Sequence, residues 1–152
     1  MRKCSIIMGM IGWLCVSGCE DSYESNIPSV SFYFSCDLSQ ARYYKIKTPG
    51  QFLKVDKNIN GLPVGYAGLL IGQSVFSAGG EYIAYDAACP VEASRHVSVE
   101  VQEDGFGTAQ CPKCHATFGL SANGSRNDGK GKESLRIYKV TVVSDNTLQV
   151  SN

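Results

Sequence analysis

Along most of this chain, apolar and polar positions alternate in short runs separated by Gly, Pro, Asn, Asp and Ser. Residues 51–55 and 96–101 alternate apolar with polar positions, the second run strictly, through Val97, Val99 and Val101. Residues 31–34 form a short aromatic run and 42–47 a second one, closed by Thr48, Pro49 and Gly50. Residues 68–72 are continuously apolar, as a strand buried on both faces would be, and 81–85 follow after Gly79 and Gly80. Short runs at 107–111 and 116–120 come next, then a polar stretch, 121–132, with three glycines that reads as loop. Residues 135–142 and 148–150, joined across Ser144, Asp145 and Asn146, predict a hairpin. No stretch from Val30 onward holds a helical period, and there are no internal repeats. The pattern predicts one small all-β domain over 30–152.

The first 29 residues read differently. Arg2 and Lys3 precede a nearly uncharged apolar stretch to Gly18, too short to span a bilayer but suited to a signal peptide over 1–18. Leu14, Cys15, Val16, Ser17, Gly18 and Cys19 resemble a bacterial lipobox. That resemblance implies cleavage before Cys19, lipid on Cys19, a tether over 19–29 and a lipid membrane as partner. Arg2-Lys3 is not a twin-arginine pair, so export follows the unfolded route. Glu20 and Asp21 resemble the acidic signals of surface-directed Bacteroidetes lipoproteins. The expected location is the bacterial cell envelope, an outer-membrane lipoprotein on the periplasmic face or the cell surface.

Charge narrows the function further. The chain has 14 basic and 14 acidic residues, and losing Arg2 and Lys3 with the leader leaves 12 basic against 14 acidic. A nucleic-acid binder needs a basic excess, so nucleic acid is not an expected partner. The seven cysteines are the unusual feature. Cys4 and Cys15 leave with the leader and Cys19 takes lipid, so Cys36, Cys89, Cys111 and Cys114 remain. Four cysteines in an oxidising compartment can form two disulfides. The spacing Cys111-Pro112-Lys113-Cys114-His115 instead resembles a metal-binding knuckle, with two thiols three residues apart and an imidazole beside them.

Tyr85-Asp86-Ala87-Ala88-Cys89-Pro90, then Cys111 to Phe118, then a glycine-bearing loop and residues 135–140, together resemble a Rieske iron–sulfur domain. More narrowly they resemble Rieske-like lipoproteins of Bacteroidetes. The resemblance implies an antiparallel β-sandwich with a small cluster-loop subdomain over about 86–120, a 2Fe–2S cluster, and a redox partner protein. Cys89 and Cys111 match the family's two cysteine ligands, and Phe118 matches the aromatic that closes the second loop. Val91 and Cys114 stand where the family has histidines, and valine has no lone pair to offer.

Cys89, His96, Cys111 and Cys114 make a substitute set of three thiols and an imidazole, suited to zinc or to iron–sulfur chemistry. His115 is the rival nitrogen, disfavoured because adjacent residues point apart. Cys36 is either a buried free thiol or an alternate ligand. The residues leave open a cluster, a zinc ion, or a cluster-less scaffold stapled by disulfides among Cys89, Cys111 and Cys114. The functional expectation is a membrane-anchored electron-transfer protein; the alternative is an envelope binding or structural module. Cys-Pro-Lys-Cys also resembles a thioredoxin-type pair, but that chemistry needs a helix where the sequence promises strand and loop. No hydrolytic constellation or phosphate-binding loop supports an enzyme assignment.

Overall fold

A computed structural model of the chain describes residues 25–77 and 79–152. The leader, Cys4, Cys15, the lipidation candidate Cys19 and the acidic pair Glu20-Asp21 lie outside the described residues. No helix among the described residues is long and apolar enough to cross a membrane.

The elements are β1 (Tyr33–Asp37), a 3-10 helix (Ala41–Lys47), β2 (Phe52–Val55), β3 (Leu69–Gln73), β4 (Tyr82–Asp86), β5 (Glu100–Val101), β6 (Thr108–Gln110), β7 (Thr117–Gly119), β8 (Ser125–Arg126), β9 (Ile137–Ser144) and β10 (Thr147–Ser151). A six-stranded sheet runs β1-β10-β9-β4-β3-β2, and a four-stranded sheet runs β5-β6-β7-β8. Every strand pair is antiparallel. The small sheet is an insertion: the chain leaves the large sheet after β4, builds β5 to β8, and returns as β9 beside β4. The all-β antiparallel expectation, with a small loop-bearing subdomain, is what the structure shows.

Two cores follow from the two-residue period of the central strands. Leu69 and Ile71 of β3 face one way, with Ala84 of β4, Phe34 of β1 and Val150 of β10. Leu70 of β3 and Tyr85 of β4 face the other way, against Phe118 of β7 and Leu120 just beyond it. A strand wedged between two cores must be apolar at every position, which explains the continuous run at 68–72. The hydroxyl of the buried Tyr85 donates to the Leu120 carbonyl at 2.7 Å, tying the two sheets together. Gly124 lets the ring lie there: its φ is +66°, and a Cβ would come within 2.8 Å of the ring. Tyr85→Phe strands a buried carbonyl and is expected to cost about 1–2 kcal/mol, read by chemical denaturation.

Three sequence expectations change. Residues 42–47 form a 3-10 helix rather than a strand, because the two side chains that reach the core, Tyr43 and Ile46, are three apart. The expected strand over 96–101 is shorter, covering only Glu100–Val101, with Ser98 bridging singly to Ala88. The segment 121–132, read as loop, contains β8, which pairs with β7. In addition, Ile27 within the expected tether is buried, and its carbonyl accepts from Arg136 at 2.9 Å.

The segment around β8 is fixed by Arg126. Its guanidinium donates to both oxygens of Asp128, at 2.7 and 3.0 Å, and to Glu133 at 2.9 Å. This holds both carboxyls below their ordinary values. Carboxyls depressed in the folded state stabilise it above their unfolded pKa, about 4, and lose that effect as pH falls through the folded value. The melting-temperature gap between wild type and Arg126→Met should therefore be widest near pH 6 and shrink below about pH 4.

Candidate metal centre

Strand β4 carries the chain to the site. Asp86 ends the strand fully buried, and Ala87, Ala88 and Cys89 continue it inward. The Asp86 carboxylate accepts from the backbone N–H of Tyr66, of Ala67 (3.2 Å) and of Ala88 (2.8 Å), and from the Tyr138 hydroxyl (2.7 Å). Burial, and then the bond to Asp86, raise the Tyr138 hydroxyl well above its ordinary value. Gly65 permits this approach: its φ is +67°, and a Cβ would stand 2.7 Å from the Asp86 carboxylate. Beyond Asp86, the Val99 N–H bonds the Ala87 carbonyl at 2.7 Å and the Cys89 N–H bonds the Val97 carbonyl at 3.0 Å.

The second loop connects β6 to β7. The Cys111 N–H bonds the Ala116 carbonyl at 2.9 Å, and Phe118 is buried under the loop. Both loops make the same turn. In each, proline follows the first cysteine, and the N–H four residues on bonds that cysteine's carbonyl: Ala93 to Cys89 at 2.9 Å, His115 to Cys111 at 3.0 Å. Ala93 and His115 both close the turn with positive φ, +47° and +59°. The backbone N–H groups of Val91 and Glu92 bond the Cys89 sulfur, and those of Lys113 and Cys114 bond the Cys111 sulfur. A Lys113–Glu92 ion pair joins the two loops.

The sulfurs of Cys89, Cys111 and Cys114 converge, all within 4.8 Å of one another. Cys89 and Cys111 are fully buried and Cys114 is half-buried. The Cys89 and Cys114 sulfurs are 3.6 Å apart, and all four described cysteines are free thiols. Burial pushes the Cys89 thiol up to about 12, helped by its bond to Cys111. Burial also acts upward on Cys111, but the N–H groups of Cys114 and Lys113 and the two neighbouring thiols outweigh it. Cys111 is therefore held below its ordinary value and is the more readily ionised of the pair.

The other candidates fall elsewhere. His96 is exposed in the turn before β5, its N–H bonded to Ser94. His115 is exposed where the second loop closes. Neither joins the group that converges within 4.8 Å. Cys36, the other alternate, belongs to the opposite core with Phe34 and Leu148, and burial raises its thiol to about 11. The large sheet separates it from the three converging sulfurs, so it cannot be a fourth ligand. Val91 stands 37% exposed on the rim. Sequence reasoning missed Asp86, which braces the first loop, and Glu92, which pairs with Lys113 across the two loops. The repeat of Cys-Pro was the available signal that the two loops make the same turn. The Cys111–Cys114 turn leads into β7, so the helix that a thioredoxin-type pair needs does not follow it.

Three converging thiols are a soft donor set that suits iron or zinc. They do not fit the two-histidine 2Fe–2S cluster that a Rieske domain implies. That cluster takes a pair of ligands on each iron, and here both histidine positions, Val91 and Cys114, lack an imidazole.

No protein-family model matches the chain, and no curated protein matches it. Among solved structures, the chain is similar to a Mycobacterium tuberculosis protein described as the small subunit of an NADH-dependent nitrite reductase. The two are 18% identical, with 82% of this chain and 97% of that chain covered and a TM-score of 0.45. It is similar also to a chain in the complex of reduced oxygenase and oxidised ferredoxin of carbazole 1,9a-dioxygenase (20% identity, 78% of this chain and 92% of that chain, TM-score 0.48). A third is the ferredoxin of carbazole 1,9a-dioxygenase from Nocardioides aromaticivorans (17% identity, 80% and 97%, TM-score 0.43).

Proposed function

We propose that the chain is an envelope-tethered, Rieske-like electron-transfer protein in which the thiolates of Cys89, Cys111 and Cys114 hold redox-active iron. The observation that carries this reading is the convergence of three sulfurs within 4.8 Å on two loops that make the same turn. The motif resemblance around Cys89 and Cys111 supports the electron-transfer role, and the lipobox at Cys19 supports the tether. Bound iron would supply a one-electron change of oxidation state. The chain's own part is to keep Cys89 and Cys111 dry, aim backbone N–H groups at their sulfurs, and leave the Cys114 side accessible to a partner.

The test is iron and zinc per chain on full-length protein purified anaerobically after native export, with a redox titration of the same sample. Iron with a reversible one-electron step supports the reading; zinc alone, or no metal, overturns it. Because thiolate replaces neutral imidazole, added negative charge favours the oxidised state. The expected potential lies below that of a two-histidine centre, and a potential as high as that would contradict the ligand set.

A second reading has its own observation. At 3.6 Å, the Cys89 and Cys114 sulfurs are close enough for oxidation in the envelope to join them and leave a cluster-less scaffold. Native protein two hydrogens lighter than the reduced chain, with these two cysteines linked, would establish that state.

A further inference from the structure

The connection from β2 to β3 opens with a small hairpin of its own, a finger over residues 56–64 that the metal centre does not use. Lys57 bridges to Pro63, the Val64 N–H bonds the Asp56 carbonyl at 3.2 Å, and the Asn58 N–H bonds the Leu62 carbonyl at 2.8 Å. The Asn58 side chain fixes the tip: its Oδ1 accepts from the N–H groups of Asn60 and Leu62, both at 3.0 Å. Residues 58–62 carry no charge, yet Ile59 is 76% exposed and Leu62 59%. Single apolar side chains in water are ordinary, but two on one fixed, uncharged tip mark a contact surface.

Two neighbours of the finger indicate what covers it. Pro63 and Val64 at its base share a cavity of about 370 Å³ with Val30, Phe32 and Arg95, so the chain leading from Ile27 into β1 passes the base of the finger. Ile27 is buried and held by Arg136. Cys19 stands eight residues before Ile27, and eight residues reach about 28 Å when fully extended. A lipid on Cys19 therefore keeps this end of the domain close to the bilayer. Charge agrees. The Arg95 guanidinium lies 4.9 Å from the centre of the Tyr66 ring, and no carboxylate pairs with it among the described residues. Asp56 also lines the cavity, but the Lys54 Nζ stands 3.9 Å from it. Lys54, Lys57 and Arg95 against Asp56 leave the base of the finger positive, which suits phospholipid phosphates.

We propose that Ile59 and Leu62 enter the surface of a phospholipid bilayer while Arg95, in the cavity beside them, takes a headgroup phosphate. The inference rests on the lipid tether at Cys19 and is independent of which metal the three sulfurs hold. A guanidinium stacked on a ring keeps its N–H edge for an anion, and phosphate accepts two of those N–H groups at once. The first cysteine loop, which carries Arg95, is thereby held beside the lipid. The exposed Phe76 follows β3 at its far end, since β3 leaves the finger at Leu69 and ends at Gln73, and so marks the pole that stays in water.

The chain's one tryptophan, Trp13, falls in the expected leader, so a tryptophan introduced into the exported protein reports alone. The test uses the full chain, natively exported and lipidated, then reconstituted into vesicles of phosphatidylcholine and phosphatidylglycerol. Leu62→Trp emission should shift to the blue and lose at least about half its intensity to chain-brominated lipids, as for a side chain sunk into the interface. Phe76→Trp should do neither. Adding Arg95→Gln to Leu62→Trp should move the tip about fivefold toward water, the worth of one basic residue at an anionic surface, and weaken the quenching accordingly. Unshifted, unquenched Leu62→Trp emission on firmly tethered protein would overturn the inference, as would equal quenching at positions 62 and 76. Quenching unchanged by Arg95→Gln would overturn the headgroup site. Exported protein whose mass shows no lipid and which washes off the vesicles would overturn the tether, and the inference with it.

Discussion

Asp86→Ala is expected to lower the unfolding free energy by at least about 3 kcal/mol, a large share of the roughly 5–15 kcal/mol that holds a typical domain. The carboxylate is fully buried and satisfies four donors, three of them backbone N–H groups that cannot turn away. Each donor left without a partner in the interior costs about 1–3 kcal/mol, and water entering the space recovers only part of that. Asp86→Asn keeps the volume but points an amide N–H2 at groups that are themselves donors, so it too should destabilise, by less than the alanine variant. Denaturant unfolding with an unchanged m-value is the measurement. A loss below about 1 kcal/mol for alanine would mean that these bonds do not brace the fold. The same variant should loosen metal binding, since the Ala88 N–H that sets the entry to Cys89 loses its acceptor.

Cys89→Ala and Cys111→Ala should each bring metal content close to zero, whereas Cys36→Ala should leave it unchanged. All three side chains are buried free thiols, so composition and exposure do not separate them. Position does: Cys89 and Cys111 lie with Phe118 on one side of the large sheet, and Cys36 lies with Phe34 on the other. Removing one of two fully buried thiolates should weaken the ion's affinity by more than about 100-fold, beyond what the loss of an outer hydrogen bond does. Alanine is the right replacement, because a serine hydroxyl at these dry positions would add a polar burial cost to the loss of the ligand. Metal lost equally in Cys36→Ala would show that the centre responds to general destabilisation rather than to its own ligands.

Much of this architecture is legible along the chain. The continuous apolar run at 68–72 marks β3 because a strand between two cores has no polar face to show. The hairpin β9–β10 is legible from apolar runs on both sides of Ser144, Asp145 and Asn146. Residues 42–47 mislead because three residues with aromatic or aliphatic bulk, Tyr43, Tyr44 and Ile46, suit a strand, and only the three-residue spacing of Tyr43 and Ile46 betrays the 3-10 helix. Strand β8 was illegible: two polar residues become a strand only because the edge of β7 is there to pair with them.

At the site, local spacing identifies Cys111 and Cys114 as one turn's pair, since a turn places residues three apart on the same side whatever surrounds it. The sequence by itself thus determined the all-β class, the C-terminal hairpin and the close approach of Cys111 and Cys114, because these depend on neighbours in the chain. Tertiary structure decided that Cys89 joins the pair, that Cys36 does not, that Asp86 braces the first loop, and that Glu92 pairs with Lys113 across the two loops. Those facts depend on which segments meet across the two sheets and on where a backbone N–H finds its acceptor, and neither is written in the spacing of residues along one loop.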